Sequence, residues 1–254
     1  MYDSQSALNW WKWAQIEHDG LIEVNYLRYQ DGKYRRTNTE YWDKIPTIDS
    51  AWLRGQHLVA VGVNPRPIFD DPQSVTDCAK DKDILVYKNL FIDIEPIHAP
   101  NTNVTVEDRE RCEEFLANFP CAPSNIVVAD SGNGFHILIA IPAYDNPMEF
   151  GNKLQTWYKS RILPDTKKLR EHYNVRIDFT FSPSRQVKLY GTRKPIEHAR
   201  LSSFPNTPRV ESETFKQYIL SFKEKVIKKV TVGLNLGEST ATLEAIEEKY
   251  GLVR

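Results

Sequence analysis

Apolar residues recur along this chain with two periods, and those periods divide it into strands and helices. Alternation, or a short apolar run between turn signals, predicts strands at 21–29, around 34, and at 57–63, 85–95, 125–129, 135–141, 175–179 and 186–192. Asp31-Gly32, between the first two, is a hairpin signal. A helical period appears in Cys112, Phe115, Leu116 and Phe119, capped by Thr105-Val106-Glu107-Asp108 and stopped by Pro120. It returns in Met148, Phe150, Leu154, Trp157 and Tyr158, ahead of Pro164. A third stripe, Phe215, Tyr218, Ile219, Phe222, Val226 and Val230, follows Ser212 with lysines near its end. Between about 85 and 192 the order β-α-β-β-α-β is that of a ferredoxin-like sheet, its last strands bearing Asp178 and Lys188. The expected class is α+β. The expected division is a domain over 1–210 in two packed lobes (about 1–84 and 85–210), an amphipathic helix over 211–230, and a polar tail over 231–254 with a short helix near its end.

Three of the predicted strands carry polar chemistry. In Phe91-Ile92-Asp93-Ile94-Glu95 the two acids project from one face, about 6–7 Å apart. At an effective dielectric of about 20 their repulsion is on the order of 2.5 kcal/mol, a cost that a divalent cation between them reverses. Acid-x-acid on a strand commonly marks a solvated face, but Leu90, Phe91, Ile92 and Ile94 make this an interior strand, where unpaired acids are expensive. Downstream, Ser131-Gly132-Asn133-Gly134-Phe135-His136 joins two β-rich runs. Its glycines permit a tight turn that exposes backbone N–H groups as an anion nest, bracketed by a hydroxyl and an imidazole. Arg176-Ile177-Asp178 supplies a third acid, and Arg185 and Lys188 supply cations for phosphate oxygens, Arg as a fork and Lys as a point charge. Together they describe a site for a nucleoside triphosphate held on divalent metal.

This set resembles the archaeo-eukaryotic primase (AEP) superfamily, in particular its primase-polymerase (prim-pol) branch, whose motifs are acid-x-acid, Ser-Gly-x-Gly-x-His and a hydrophobe followed by Asp. All three occur here in order, and Val61-Gly62-Val63-Asn64-Pro65-Arg66 is similar to a stretch upstream of the first motif in many prim-pols. The resemblance covers about residues 58–192. It implies an AEP-like core, an N-terminal α/β lobe packed on a ferredoxin/RRM-like antiparallel sheet. It further implies Asp93, Glu95 and Asp178 as ligands of one or two Mg²⁺ or Mn²⁺ ions, and Ser131, His136 and Lys188 as phosphate contacts, within a nucleotide site that also takes in Gly132, Asn133, Gly134 and Arg185. The implied activity is template-dependent nucleotidyl transfer, a DNA primase or polymerase acting on nucleoside triphosphates and a single-stranded or primed DNA template.

Composition narrows the class without naming the chemistry. No apolar run approaches a membrane span and no signal-peptide pattern opens the chain, so an intracellular protein is expected. Cys78, Cys112 and Cys121 are odd in number and irregularly spaced, which suits reduced thiols and lacks zinc-site spacing. The formal net charge is −1, yet residues 68–118 hold 12 acidic and 5 basic side chains while residues 153–200 hold 12 basic and 4 acidic. The cationic stretch lies where a template or triphosphate would be neutralised. Two rivals share these features: a metal-dependent nuclease, which needs no triphosphate nest, and a non-catalytic nucleic-acid-binding replication module, which would present aromatic platforms rather than acids. The residues do not single out a steric gate against one sugar from several aromatics, Phe135, Phe179 and Tyr190 among them, and the polar tail is compatible with a further C-terminal domain or a replication or CRISPR-linked partner.

Overall fold

The computed structural model describes residues 2–31, 33–46, 58–98, 104–119, 125–179, 181–193 and 200–223. Helix α1 (Ser4–Ala14) opens the fold; Asp3 caps it by accepting from the Gln5 and Ser6 amides, and Gln15 ends it in the left-handed region at φ 50°. Strands β1 (Ile22–Gln30), β2 (Lys33–Trp42) and β3 (Leu58–Gly62) follow, then β4 (Tyr87–Pro96) and helix α2 (Val106–Ala117). The predicted cap of α2 is a reciprocal box: Thr105 Oγ1 accepts from Asp108 N at 3.1 Å and Asp108 Oδ2 from Thr105 N at 2.9 Å. Strands β5 (Val127–Asp130) and β6 (Phe135–Tyr144) lead into helix α3 (Pro147–Trp157). The chain does not stop at Pro164. A π turn over Tyr158–Ile162 widens the coil, and Pro164 sits in the first turn of a short α4 (Leu163–Asp165), where a missing N–H costs little. Helix α5 (Lys167–Tyr173), strands β7 (Val175–Phe179) and β8 (Gln186–Lys188), and helix α6 (Glu213–Ser221) complete the order.

Among the described residues the strands form two antiparallel four-stranded sheets, β2-β1-β3-β8 and β5-β6-β4-β7. The second has the predicted ferredoxin-like order, built from β4-α2-β5-β6-α3-β7. Lys188 departs from expectation. Its strand, β8, leaves the ferredoxin-like sheet and pairs with β3, with Lys188 opposite Ala60, so the edge of the first sheet comes from the far end of the chain.

Side-chain alternation places the two cores. Leu90, Ile92 and Ile94 of β4, with Ile137, Ile139 and Ile141 of β6, face Cys112 and Phe115 of α2, Phe150, Leu154 and Trp157 of α3, and Phe215 and Ile219 of α6. The opposite face of the same strands, through Phe91, Leu138, Val127 and Ala129, joins a core with α1's Trp10, Trp11 and Trp13 and the first sheet's Val24, Val59, Val61 and Val187. Met148 and Tyr218, expected inward, are exposed: each lies at the margin of its helical stripe, past the reach of the core. Helix α6 ends at Ser221, with Phe222 already extended, short of the predicted 230. The expectations for Val226, Val230 and the 231–254 tail, for Pro120 as a helix stop and for Cys121 lie outside the described residues.

The stretch 61–66 ties the sheets together. Asn64 Oδ1 accepts from the Lys88 and Asn89 amides at the start of β4 (2.9 and 3.0 Å), and its Nδ2 donates to Pro183 O ahead of β8. Arg66 is fully buried; its Nε donates to the equally buried Glu23 at 2.6 Å, and Nη2 reaches Ser184 O at 2.9 Å. Glycine is required at 62 because a Cβ there would lie 2.7 Å from the Arg66 guanidinium. Glu23 is further held by Asn25 Nδ2 and Gln186 Nε2. Removing one partner of such a pair strands a buried charge, whereas replacing both does not. Arg66→Ala is therefore expected to lose about 3–5 kcal/mol of stability in chemical denaturation, and Glu23→Gln combined with Arg66→Met to lose clearly less. Equal losses would show that the network acts through packing alone.

Candidate active site

The register of β4 assembles the acids. Asp93 is opposite His136 on β6 and opposite Asp178 on β7, so the three side chains form one row across the sheet on one face. In the next row Glu95 is opposite Arg176. Along β4 this face passes from the buried Asn89 and Phe91 to the partly open Asp93 and Glu95, so the acids begin where the inter-sheet core ends.

Each acid faces a cation or a donor. Glu95 Oε2 accepts from Arg176 Nε at 3.1 Å and from its Nη2. This contact raises the Arg176 pKa, yet the Arg176 side chain is 63% exposed and the pair is weak on that account. Asp178 Oδ2 lies 3.6 Å from Arg185 Nη2. The Arg185 guanidinium stands 5.5 Å from the Phe91 ring centroid. Asp93 Oδ1 lies 3.5 Å from His136 Nε2. His136 Nδ1 meets the Tyr190 hydroxyl at 2.7 Å, and the ring packs edge-on to Phe91. Burial, together with the Asp93 charge, pushes the Tyr190 phenol far up, so it stays protonated beside Nδ1, while Nε2 faces the Asp93 carboxylate.

The 130–134 loop is tight for a different reason than the one expected. Ser131 N donates to Gly134 O, Gly132 N to Asp130 Oδ1 at 2.6 Å, and Gly134 N to Ser131 Oγ at 2.9 Å. Three amides of the expected nest are thus used within the loop, leaving Asn133 as the one without a partner among the described residues. The glycines serve close approach instead. A Cβ on Gly134 would fall 2.1 Å from Ile94 O and 3.1 Å from Glu95 Cα, and Gly132 holds φ +89° beneath Arg200 O. Asp130 is clamped by both Arg109 terminal nitrogens (3.1 and 2.9 Å), and Lys188 Nζ donates to Ser131 O at 2.6 Å. This last bond joins the edge of the first sheet to the loop of the second.

The result is one cleft, of about 140 Å³, lined by Asp93, Glu95, Ser131, Asn133, His136, Arg185 and Lys188 together with Leu58, Phe91, Gln186 and Val187. Asp178 stands at its side through Arg185, and Gly132 and Gly134 shape it from behind. Two larger hollows, of about 560 and 320 Å³, hold none of the acids of the row. Of those aromatics, Phe135 turns into the helix-side core and Tyr190 is buried against Trp10 and Phe204; the side chain of Phe179 lies outside the described residues. Arg176 and the Tyr190–His136 bond were not anticipated. Arg176 was open to discovery, since it sits two residues before Asp178 and so shares its face; the Tyr190 contact joins residues on different sheets and left no local signal.

Three carboxylates on one face are a hard-oxygen donor set of the kind that Mg²⁺ and Mn²⁺ take. Among the described residues, no three His, Cys, Asp or Glu side chains converge closely enough to hold an ion as they stand; Glu95 and Asp178 are paired with Arg176 and Arg185. The thiols do not form an alternative centre: Cys112 is buried in the helix-side core, where burial pushes its pKa up to about 12, and Cys78 bonds Asn25. Among the described residues no helix is long and apolar enough to cross a membrane.

The chain is similar in fold to the AEP domain of the cyanophage S-2L primase-polymerase (PrimPol), with a TM-score of 0.50 over 86% of this chain and 98% of that domain. Sequence identity is 12%, so the likeness is one of fold. No protein-family profile and no curated protein sequence matches the chain.

The loop geometry carries a testable consequence. Gly134→Ala forces backbone against backbone, so its cost is expected in the upper part of the roughly 1–3 kcal/mol of overpacking, read as a lowered melting temperature. Asn133→Ala, in the same loop with its side chain on the cleft, is expected to melt like the parent. Equal melting of all three proteins would mean that the loop does not need its close contact with β4.

Proposed function

We propose that this protein is a template-dependent nucleotidyltransferase of the prim-pol kind, joining nucleotides with release of pyrophosphate. One observation carries the reading: seven residues, from the first two sequence motifs and from the segment after the third, line a single cleft between the sheets, with the third motif's Asp178 at its side through Arg185. The AEP-like fold supports it.

In this reading Asp93, Glu95 and Asp178 hold one or two Mg²⁺ or Mn²⁺ ions, which when bound would activate an attacking 3′ hydroxyl and stabilise the leaving pyrophosphate. The protein's part is to bind and orient. Ser131 accepts from Gly134 N and keeps its own proton to donate to a phosphate oxygen. His136 offers Nε2, held in direction by Tyr190. Lys188 and Arg185 supply positive charge at the cleft wall. Arg176 and Arg185 occupy carboxylates that a metal would need, so both must swing away; the exposure of Arg176 makes that inexpensive. The cleft is smaller than the roughly 300–1,000 Å³ of a site that encloses a whole drug-sized ligand. It suits phosphates and ions, with base and sugar outside, which is what a templated reaction requires because pairing with the template reads the base.

The direct test is incubation with a single-stranded or primed DNA template, deoxy- or ribonucleoside triphosphates, and Mg²⁺ or Mn²⁺. Incorporation with pyrophosphate release is expected from the parent protein and none from Asp93→Asn or Glu95→Gln; parent-like synthesis by either variant would overturn the assignment. Metal binding offers a second reading independent of turnover. Because Arg176 competes for Glu95, Arg176→Ala is expected to bind Mn²⁺ up to about fivefold more tightly, the ceiling set by an exposed ion pair, as followed by electron paramagnetic resonance of free Mn²⁺. Weaker binding would mean that Arg176 supports the acids rather than competing with an ion.

A further inference from the structure

The first sheet does not end where its packing ends. Among the described residues β3 pairs with β1 over Val24–Leu27, while β1 and β2 stay paired as far as Gln30 and Lys33. The outer residues of both strands are therefore a two-stranded arm roughly 10 Å long, and nearly all of it is exposed. Such a ribbon gains little stability of its own. Its composition is one-sided: Arg28, Lys33, Arg35 and, at the root, Arg36, against the single acid Asp31. Arg35 makes only a loose 3.6 Å pair with Asp31, and Arg28 and Lys33 pair with no carboxylate among the described residues. Tyr29 and Tyr34 stand opposite each other on the arm with ring centroids 5.1 Å apart, and Tyr29 is 36% exposed.

The arm is also continuous with the cleft. Tyr29 shares its face of β1 with Leu27 and Asn25. Leu27 is opposite Leu58, and Asn25 is opposite Ala60, itself opposite Lys188. Leu58 and Lys188 line the cleft. The half-buried Leu58 and Leu27 thus link the cleft to Tyr29 on the arm, whereas Asn25 and Ala60 are buried.

We propose that the β1–β2 arm is a binding surface for single-stranded nucleic acid, with Arg28, Lys33 and Arg35, which share one face of the ribbon, on its phosphates and Tyr29, on the opposite face, stacking an unpaired base where the strand crosses the ribbon's edge. Alternating cations and aromatic faces recognise a single strand because every base has a face to stack and every linkage a charge. Stacking on Tyr29 requires an unpaired base, which selects against a duplex. The arm deepens the reading of the cleft as a templated site, since it would lead the template to the acids. Cations on the edge strand β2 also discourage edge-to-edge association, a role that needs no ligand and predicts no effect on binding.

Fluorescence anisotropy of a labelled oligothymidylate with the full chain, in chelator and without nucleotide, isolates the arm from catalysis. The Arg28→Ala/Lys33→Ala/Arg35→Ala variant is expected to bind at least about tenfold more weakly near physiological salt, with the dependence of log affinity on log salt shallower by about 2, three single-strand phosphate contacts being lost. Tyr29→Ala is expected to lose about five- to tenfold, with an unchanged salt slope. Both should melt like the parent because the residues are exposed, and Asp93→Asn should bind like the parent. An unchanged affinity and slope in the triple variant, or a duplex bound as tightly as the single strand by the parent, would overturn the proposal. Failure of the arm would leave templated synthesis by the parent untouched, and failure of synthesis would leave arm-dependent binding untouched, so the two readings fall separately.

Discussion

Everything at the candidate site depends on the register of β4 between its two neighbours. Asp93 is opposite His136 on one side and Asp178 on the other, and the same pairing sets Glu95 beside Arg176. A slip of one residue would exchange the faces of the strand, sending both acids among Cys112, Phe115 and Phe150 and exposing Ile92 and Ile94. The cost of burying two unpaired carboxylates in that core is what holds the register. The chemistry of the site and the specificity of the fold thus rest on one alternation of five residues.

The cleft exists because the two sheets are fastened close by, at several points that are themselves polar. Asn64 bonds the start of β4 and the turn before β8, and Arg66 with Glu23 locks β1 to that same turn. Lys188 then bridges from β8 to the Ser131 carbonyl. Hydrogen bonds with fixed direction suit this better than apolar contact, which tolerates sliding. The glycines of the 130–134 loop belong to the same logic. They let the loop lie against the backbone of β4 next to Glu95, bringing Ser131 and Asn133 to the wall of the acid cleft.

Glu95 and Asp178 are paired with arginines of the protein itself, and Asp93 faces His136. This lowers the repulsion expected between Asp93 and Glu95 in isolation and keeps the strand pairing intact, while the exposure of Arg176 leaves the arrangement easy to open. The cleft is thus small and carries counter-charges of the protein's own, and the first sheet that borders it ends in a cationic arm.

Much of this was legible in the residues, because strand and helix periodicity, caps and acid-x-acid spacing are local. The ferredoxin-like order, the Thr105 cap of α2 and the common face of Asp93 and Glu95 follow from neighbours in sequence whose geometry a strand or helix dictates. So does the grouping of the motif residues as candidates for one site. The sheet to which β8 belongs did not follow, since a three-residue strand pairs as well with one edge as another until packing chooses. Nor did the use of the loop amides within the loop, the inward turn of Phe135 and Tyr190, or the arginines set against Glu95 and Asp178. Each of these joins residues that only the packing of one sheet against another brings together, and their energies depend on distances that no sequence spacing encodes.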